Sequence, residues 1–199
     1  MRPKKITYTL AALDAAGFLN DAQGVGPWTT ILANPGDGCG HLVTIASGSD
    51  ISSKTLTVTG TDPEGRVQTE AITGPNATTV TGTKYFLAVT SVAASATIGA
   101  ATMDVGWDVV CATPAYPTAV YQHGAPGFGI NLGGAVTYTA QQTNDRIFSN
   151  APAQWHRLGT ENCTVDQSLE ANDGTSGVRA LVSAHTSGFL YLTHSQARN

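Results

Sequence analysis

Side chains that often perform catalysis are present in this sequence, but their spacing matches no common catalytic or metal-binding motif. The histidines are His41, His123, His156, His185 and His194. No two of them lie at metal-ligand spacing, and the HExxH pattern is absent. A serine nucleophile needs a GxSxG turn or a similar context, whereas Ser47-Gly48-Ser49 has only the composition of a loop. We therefore expect structural or solvated roles for the histidines, and no catalytic residue.

Acidic residues give the same result. Asp62 and Glu64 are close enough in sequence to suggest paired carboxylates, but they lie in a predicted turn, where exposure keeps both ionised. The stretches 34–40 and 170–174 are rich in glycine and carry acidic or amide side chains. A calcium loop needs alternating oxygen ligands and a closing glutamate, and neither stretch supplies that pattern. We expect plain glycine turns, with no bound metal and no cofactor.

The three cysteines, Cys39, Cys111 and Cys163, are an odd number and lie in neither a CxxC nor a Cys/His motif. A closed zinc site takes about four ligands, which no local cluster provides. Two interpretations remain. The cysteines are small, partly buried residues, or they form an intermolecular disulfide that joins neighbouring subunits.

The aromatic residues allow a binding role. Trp28, Trp107 and Trp155 are the tryptophans, and together they suggest a sugar-binding platform. Trp107 lies in DVGWDVV between two acids, and we expect it to be half exposed. Core packing or an intersubunit contact is favoured for Trp107 and Trp155, because tryptophan and tyrosine are enriched at protein interfaces.

Composition favours a protein that meets other proteins. The chain has 199 residues, of which 12% are charged, about half the usual fraction. A neutral surface rich in threonine loses little hydration when it packs against another surface. The net charge of −4 argues against nucleic acid as the main partner, which requires clustered Lys and Arg. The basic cluster Arg2, Lys4 and Lys5 is either a solvated terminus or an arm that contacts an acidic neighbour.

The sequence predicts no membrane segment, since no run approaches the roughly 18 apolar residues of a span. Thr7, Thr9 and Asp14 interrupt the apolar part of the N-terminal stretch. We therefore expect no secretory signal, and synthesis in a cytosol.

Alternating apolar and β-branched residues predict strands through most of the chain. Thr55 to Gly74 reads as a hairpin around an Asp-Pro-Glu-Gly turn, with Leu56 and Val58 on one face. Val67 is expected to point inward. Ile72 has the opposite parity and would lie on the other face of a regular strand, so we expect a bulge near Glu70 that brings both to the same face. A second hairpin is predicted over GVRALVSA-HTSG-FLYLTHS, near the end of the sequence. The segment from Leu10 to Phe18 is a weak candidate for a helix.

The predicted fold is all-β, with two sandwich-like modules. Residues 1–110 form an N-terminal sandwich of jelly-roll type, and residues 128–199 form a smaller C-terminal sandwich. The Pro- and Gly-rich segment 111–127 between them is a linker or an extended arm. This segment contains Tyr116 and Tyr121, which we expect to contact neighbouring subunits.

Two stretches resemble a known group of proteins. One is VTGTDPEGRVQTEAITGPNATTVTGTKYFLAVTSV, with a G-x-D-x-x-G turn followed by T-E-x-I and G-T-K-x-F-x-x-V-T-S-V. The other is AVTYTAQQTNDRIF, followed by a tryptophan and by GVRALVSAHTSGFLYLTHSQ. Together they resemble β-rich virion structural proteins of tailed bacteriophages, of the capsid decoration, head-completion or neck and collar type.

The resemblance implies a non-enzymatic virion subunit that decorates or reinforces the head or the head–tail neck. Its partners would be copies of itself and the major capsid, portal or neck and tail proteins of the same particle. It would be located in the virion, after assembly in the host cytoplasm. One alternative is a module of a spike or fibre that binds a glycan on the host surface. A hydrolase whose site the sequence does not reveal is the third.

Overall fold

The computed structural model describes residues 4–118, 127–147, 152–172 and 174–195. These residues form strands, turns and loops, and no helix occurs among them. The predicted all-β fold is confirmed. The helix considered for residues 10–18 is wrong, because strand β2 begins at Asp14. The chain divides into two compact units, one comprising Ala12–Cys111 and the other Met1–Ala11 with Ala112–Asn199. We call them the central unit and the terminal unit.

This division differs from the predicted modules at the N-terminus. Strand β1 (Lys4–Thr9) groups with the C-terminal half of the chain because it pairs antiparallel with the last strand, β13 (Gly177–Ser195). Part of the predicted linker is also paired with a strand of the terminal unit. Tyr116–Pro117 forms a short strand that pairs with Gly177 and Val178. Residues 119–126, Tyr121 among them, lie outside the described residues. The jelly-roll topology stays a prediction.

The central unit contains two antiparallel sheets. Its strands are β2 (Asp14–Ala22), β3 (Gly40–Ala46), β4 (Thr55–Thr61), β5 (Val67–Thr73), β6 (Thr79–Phe86), β7 (Ala88–Ala94) and β8 (Met103–Ala112). One sheet has three strands in the order β5-β4-β7, and the other places β8 beside β3 and β3 beside β6, with β2 paired to β8. The chain passes between the sheets at Leu87, whose N–H donates to the Thr61 carbonyl at 2.8 Å.

One hydrophobic core joins the two sheets of the central unit. Every strand from β2 to β8 contributes to it, including Phe18, Val43, Leu56, Val92 and Trp107. Apolar residues alternate with threonine on β4, so that one face of the strand is buried and the other exposed. This alternation is what two packed sheets require.

The predicted hairpin from Thr55 to Gly74 is present, without the predicted bulge. β4 and β5 pair in continuous register from Thr55 opposite Thr73 to Thr61 opposite Val67. Val67 is 80% exposed, so its expected inward orientation is wrong. Glu70 and Ile72 share the buried face instead. The phase of β5 is therefore set by a buried carboxylate, and not by the first apolar residue of the strand.

The terminal unit is built on two long strands, β10 (Gly127–Thr143) and β13 (Gly177–Ser195). They pair from Gly127 opposite Ser195 to Thr143 opposite Gly177. β11 (His156–Cys163) and β12 (Gln167–Glu170) pair with β10, and β9 (Tyr116–Pro117) and β1 pair with β13. The predicted C-terminal hairpin is wrong, because β13 passes through HTSG as one strand.

Bulges and glycines bend this pair where the turn was predicted. The register shifts between Ala135 and Val136 and again between Thr137 and Tyr138. Gly134 lies opposite Gly188 just beyond the shifts, and both have positive φ angles, 117° and 150°. A bulge increases local twist and bends the strand, so a glycine that looked like a turn marks a bend.

Candidate contact surfaces and buried polar clusters

The outward face of the three-stranded sheet in the central unit carries no charged side chain on its strands. Its outward residues are Thr55, Thr57, Thr59, Thr61, Val67, Thr69, Ala71, Thr73, Ser91 and Ala93. We call this surface the threonine face. Hydroxyls and methyls from neighbouring strands lie side by side, as with Thr57 between Ala71 and Ala93. The alternation of TLTVTGT on β4 produces this arrangement, since every second residue shares a face.

The two edges of the same sheet are already covered. At β7, Trp28 and Val92 exchange main-chain hydrogen bonds of 2.8 and 3.0 Å. At β5, the Gln68 amide donates to the Tyr85 carbonyl at 2.6 Å, and the Lys84 ammonium donates to the Thr69 carbonyl at 2.6 Å. Edge pairing with another chain is therefore hindered at this sheet, while its face remains open.

A buried carboxylate holds the β5 edge to β6. Glu70 is 8% exposed. Its Oε1 accepts hydrogen bonds from the Thr83 N–H at 2.6 Å and from the Thr83 hydroxyl at 2.9 Å, and its Oε2 accepts from the Lys84 N–H at 3.2 Å. The carboxylate thus accepts hydrogen bonds from three donors of β6 and ties the two strands together.

Two of the predicted contact residues at the N-terminus, Lys4 and Lys5, lie on strand β1. The Lys5 ammonium is 3.5 Å from the ring centroid of Tyr191, and Tyr191 packs edge-on against Phe189 with centroids 4.5 Å apart. Lys5 is therefore engaged within its own unit. Lys4 belongs to β1 but its side chain is not described, and Arg2 lies outside the described residues. A role for this cluster in contacts between subunits stays a prediction.

Trp107 is a core residue of the central unit. It is 7% exposed, so the expectation that it is half exposed is wrong. Its indole N–H donates to the Ala12 carbonyl at 2.9 Å, and its ring packs edge-on against Phe18 with centroids 5.1 Å apart. The two flanking acids gave a misleading signal, because alternate residues of β8 point to opposite faces.

The other predicted aromatic contacts are in the terminal unit. Trp155 is partly exposed, and the Arg179 guanidinium lies 4.1 Å from its ring centroid. Arg179 is oriented by a 2.8 Å hydrogen bond from its Nε to Gln141. One face of the Trp155 ring is thus occupied, and Tyr116 is partly buried in β9. Contacts of either residue with neighbouring subunits stay predictions.

All three cysteines are free and buried. Cys39 and Cys111 are 1% and 0% exposed. Their side chains are hydrogen-bonded to each other, which together with burial raises the pKa of the Cys39 thiol far above its usual value. Cys163 lies in the terminal unit, where its Sγ is 3.4 Å from the Val165 carbonyl. The sequence gives no signal for the Cys39–Cys111 contact, because the two residues are 72 positions apart in the chain.

A carboxylate and an imidazole adjoin this thiol pair. Asp37 Oδ2 is 2.9 Å from His41 Nε2, with both side chains buried, and His41 Nδ1 is 2.7 Å from the Asp108 carbonyl. A carbonyl only accepts, so Nδ1 carries a proton. Both ring nitrogens are occupied, and a thiol whose pKa is raised is a poor nucleophile. In the closed fold both hydrogen-bonding positions of the His41 imidazole are therefore engaged with groups other than the Cys39 thiol.

The glycine-rich segment 34–40 shapes this corner as a turn. Gly36 and Gly38 have φ angles of 74° and 79°. Asp37 Oδ1 accepts from the Cys39 N–H at 2.9 Å, and the Asn34 side chain accepts from the Val89 N–H at 2.8 Å. Within the described residues no group of three or more His, Cys, Asp or Glu side chains is arranged to hold a metal ion.

A cavity of about 280 Å³ lies at the bulges of the terminal unit. Its lining residues are Ala135, Val136, Thr137, Thr164, Ala184, His185 and Thr186. His185 is the one ionisable side chain in this lining, so the cavity offers no acid–base pair.

Comparison of the chain with protein families, with curated proteins and with solved structures finds no match in any of the three. Among the described residues no helix is long and apolar enough to cross a membrane. The function must therefore be argued from the surfaces and clusters of this chain.

Proposed function

We propose that the chain is a non-enzymatic structural subunit of a tailed-bacteriophage virion. It decorates or reinforces the head or the head–tail neck, through contacts with copies of itself and with neighbouring proteins of the particle. The observation that carries the proposal is the threonine face, an open sheet surface without a charged side chain on its strands. The resemblance of the 58–92 stretch to virion proteins gives the class of particle.

An uncharged sheet face suits contact between subunits for a physical reason. Desolvating a charged group costs several kcal/mol unless it is paired, whereas hydroxyls and methyls lose little when they are covered. Threonine is also stiff at χ1, so little side-chain entropy is lost on contact. Each contact is weak, but the symmetry of a ring or shell repeats it many times.

The polar clusters of the central unit support the same proposal. Glu70 is hydrogen-bonded to β6, and both ring nitrogens of His41 are engaged in hydrogen bonds. Arg66 forms ion pairs with Asp62 at 2.6 Å and with Glu64 at 3.1 Å. Each group serves a turn or a strand of its own unit. An assembly subunit requires a rigid scaffold, and hydrogen bonds and ion pairs between its own polar groups provide one.

The test compares two lysine substitutions. Thr57→Lys places a charge at the centre of the threonine face, and Thr160→Lys places the same charge on an exposed position of β11. We expect wild type and Thr160→Lys to self-associate in sedimentation velocity or to bind purified phage heads or necks. Thr57→Lys should weaken that association at least about tenfold, since a buried unpaired charge costs more than 1.4 kcal/mol.

A wild-type chain that stays monomeric at high concentration and binds neither heads nor necks would contradict the proposal. Equal association of both variants would show that the threonine face takes no part in the contact between subunits. Specific binding of the wild-type chain to a glycan array would favour the glycan-binding alternative.

A further inference from the structure

Two cysteines distant in sequence meet inside the central unit. Cys39 immediately precedes β3, Cys111 lies near the end of β8, and β3 and β8 are neighbours in one sheet. His41, two residues after Cys39, contacts the main chain of Asp108, three residues before Cys111. The two segments therefore pass each other in opposite directions, with the thiols facing.

This arrangement favours a disulfide. A disulfide joins residues whose Cα atoms lie about 4.4–6.8 Å apart, a separation that is usual where side chains of neighbouring antiparallel segments touch. The two thiols are already in hydrogen-bonding contact and neither is oxidised. Cys163 belongs to the other unit and contacts the Val165 carbonyl.

We propose that Cys39 and Cys111 are a redox pair. Thiol–disulfide exchange with a small disulfide, such as oxidised glutathione, converts the two thiols into a disulfide within one chain. One cysteine, as its thiolate, attacks the glutathione disulfide and releases one glutathione thiol. The second cysteine then attacks the mixed disulfide and releases the other. Two S–H bonds are lost, one protein S–S bond forms, and the oxidant is reduced to two thiols.

The surroundings determine how fast this reaction proceeds. Burial of both thiols and the raised pKa of Cys39 keep the pair protonated and shielded in the closed fold. The adjoining turn contains Gly36 and Gly38, which are exposed and have positive φ angles, so we expect local opening there. Oxidation should therefore accelerate with rising pH and with denaturant below the unfolding midpoint.

An internal disulfide answers the question left open by the odd number of cysteines. It removes Cys39 and Cys111 from any bond between subunits and leaves Cys163 as the free thiol. It also closes the chain from β3 to β8, which restricts the unfolded ensemble of the central unit.

The experiment uses the full chain, treated with oxidised glutathione at about pH 8.5, near the ordinary thiol pKa, in denaturant below the midpoint. After alkylation and non-reducing trypsin digestion, the three cysteines fall in separate peptides, residues 6–54, 85–146 and 158–179. We expect peptides 6–54 and 85–146 to be linked, with the loss of two hydrogens. Cys163 should be alkylated, and the protein should remain a monomer on a non-reducing gel.

Three variants complete the test. Cys163→Ser should form the same link as wild type. Cys39→Ser and Cys111→Ser should each form none, and should carry glutathione or a free thiol at the remaining cysteine. Dimers joined through Cys39 or Cys111, or a wild-type chain with all three cysteines alkylated or glutathionylated after this treatment, would overturn the proposal.

Discussion

The two regions expected to be hairpins, residues 55–73 and residues 177–195, take different structures. In the first, Asp62, Pro63, Glu64 and Gly65 close a turn between strands adjacent in sequence. In the second, His185, Thr186, Ser187 and Gly188 lie within one strand, which pairs with β10 along its whole length. Both contain a glycine between two stretches of β-forming residues, so glycine alone does not distinguish a turn from a bend.

The two regions differ in whether a nearby side chain accepts hydrogen bonds from the main-chain N–H groups. Asp62 Oδ1 accepts from the N–H groups of Glu64 and Arg66 at 3.0 and 2.8 Å, and its own N–H donates to the Arg66 carbonyl. These bonds close the turn locally. The HTSG stretch begins with a histidine and obtains its main-chain partners from β10, so its structure depends on residues about 50 positions away.

The largest effect is predicted at the bend of β13. Gly188→Ala would place a Cβ 2.6 Å from the Gly133 carbonyl oxygen, at a φ of 150°. Backbone must move to relieve this contact, so we expect a loss of about 2–4 kcal/mol in the free energy of unfolding. Chemical denaturation measures it.

Gly65→Ala is the matched control in the true turn. A Cβ there meets no atom within 4 Å, and only the φ of 81° opposes it, so about 1 kcal/mol is expected. An equal loss at both glycines would contradict the distinction between bend and turn.

A smaller effect is predicted for the acceptor that closes the turn. Asp62→Ala removes the partner of two main-chain N–H groups and of the Arg66 guanidinium, which lies at 2.6 Å. We expect a loss of about 2 kcal/mol. Asp62→Asn keeps one acceptor oxygen and should lose less. A wild-type melting temperature for Asp62→Ala would show that strand pairing, and not the turn, sets the register.

The smallest effect concerns a tether in the terminal unit. Hydrogen bonds from the Leu132 N–H at 2.8 Å and the Asn131 amide at 3.1 Å lower the pKa of the Asp166 carboxyl from its ordinary value. A lowered pKa means that the ionised group contributes stability above about pH 4, which is lost as pH falls through the lowered value. Wild type should therefore melt slightly above Asp166→Asn near neutral pH, and the difference should shrink in acid. A difference that grows as pH falls would contradict this assignment.

The sequence was sufficient to predict features that depend on residues adjacent in the chain. It was not sufficient for features that depend on contacts with a distant strand. Alternation in TLTVTGT and the Asp-Pro-Glu-Gly turn were sufficient for the β4–β5 hairpin. The phase of β5 was misjudged at Val67, because the buried residue is Glu70, whose donors come from β6. An acid two residues before Ile72, on the same parity, was the available signal.

The candidate surfaces divide in the same way. The uncharged character of the threonine face follows from composition and alternation, and was expected as a neutral surface. The contact of Cys39 with Cys111, and the burial of Trp107, depend on which strands are neighbours. Strand order across a sheet leaves no local trace in a sequence, so these features required the structure.

The central claim is that the threonine face is covered by a neighbouring protein in an assembled particle. A cryo-electron microscopy map of a tailed-phage particle from the source of this sequence tests it directly. We expect density for this fold at the head or neck, with Thr55, Thr57 and Thr59 in contact with an adjacent subunit. A particle that lacks this chain, or that leaves this face open to solvent in every copy, would contradict it.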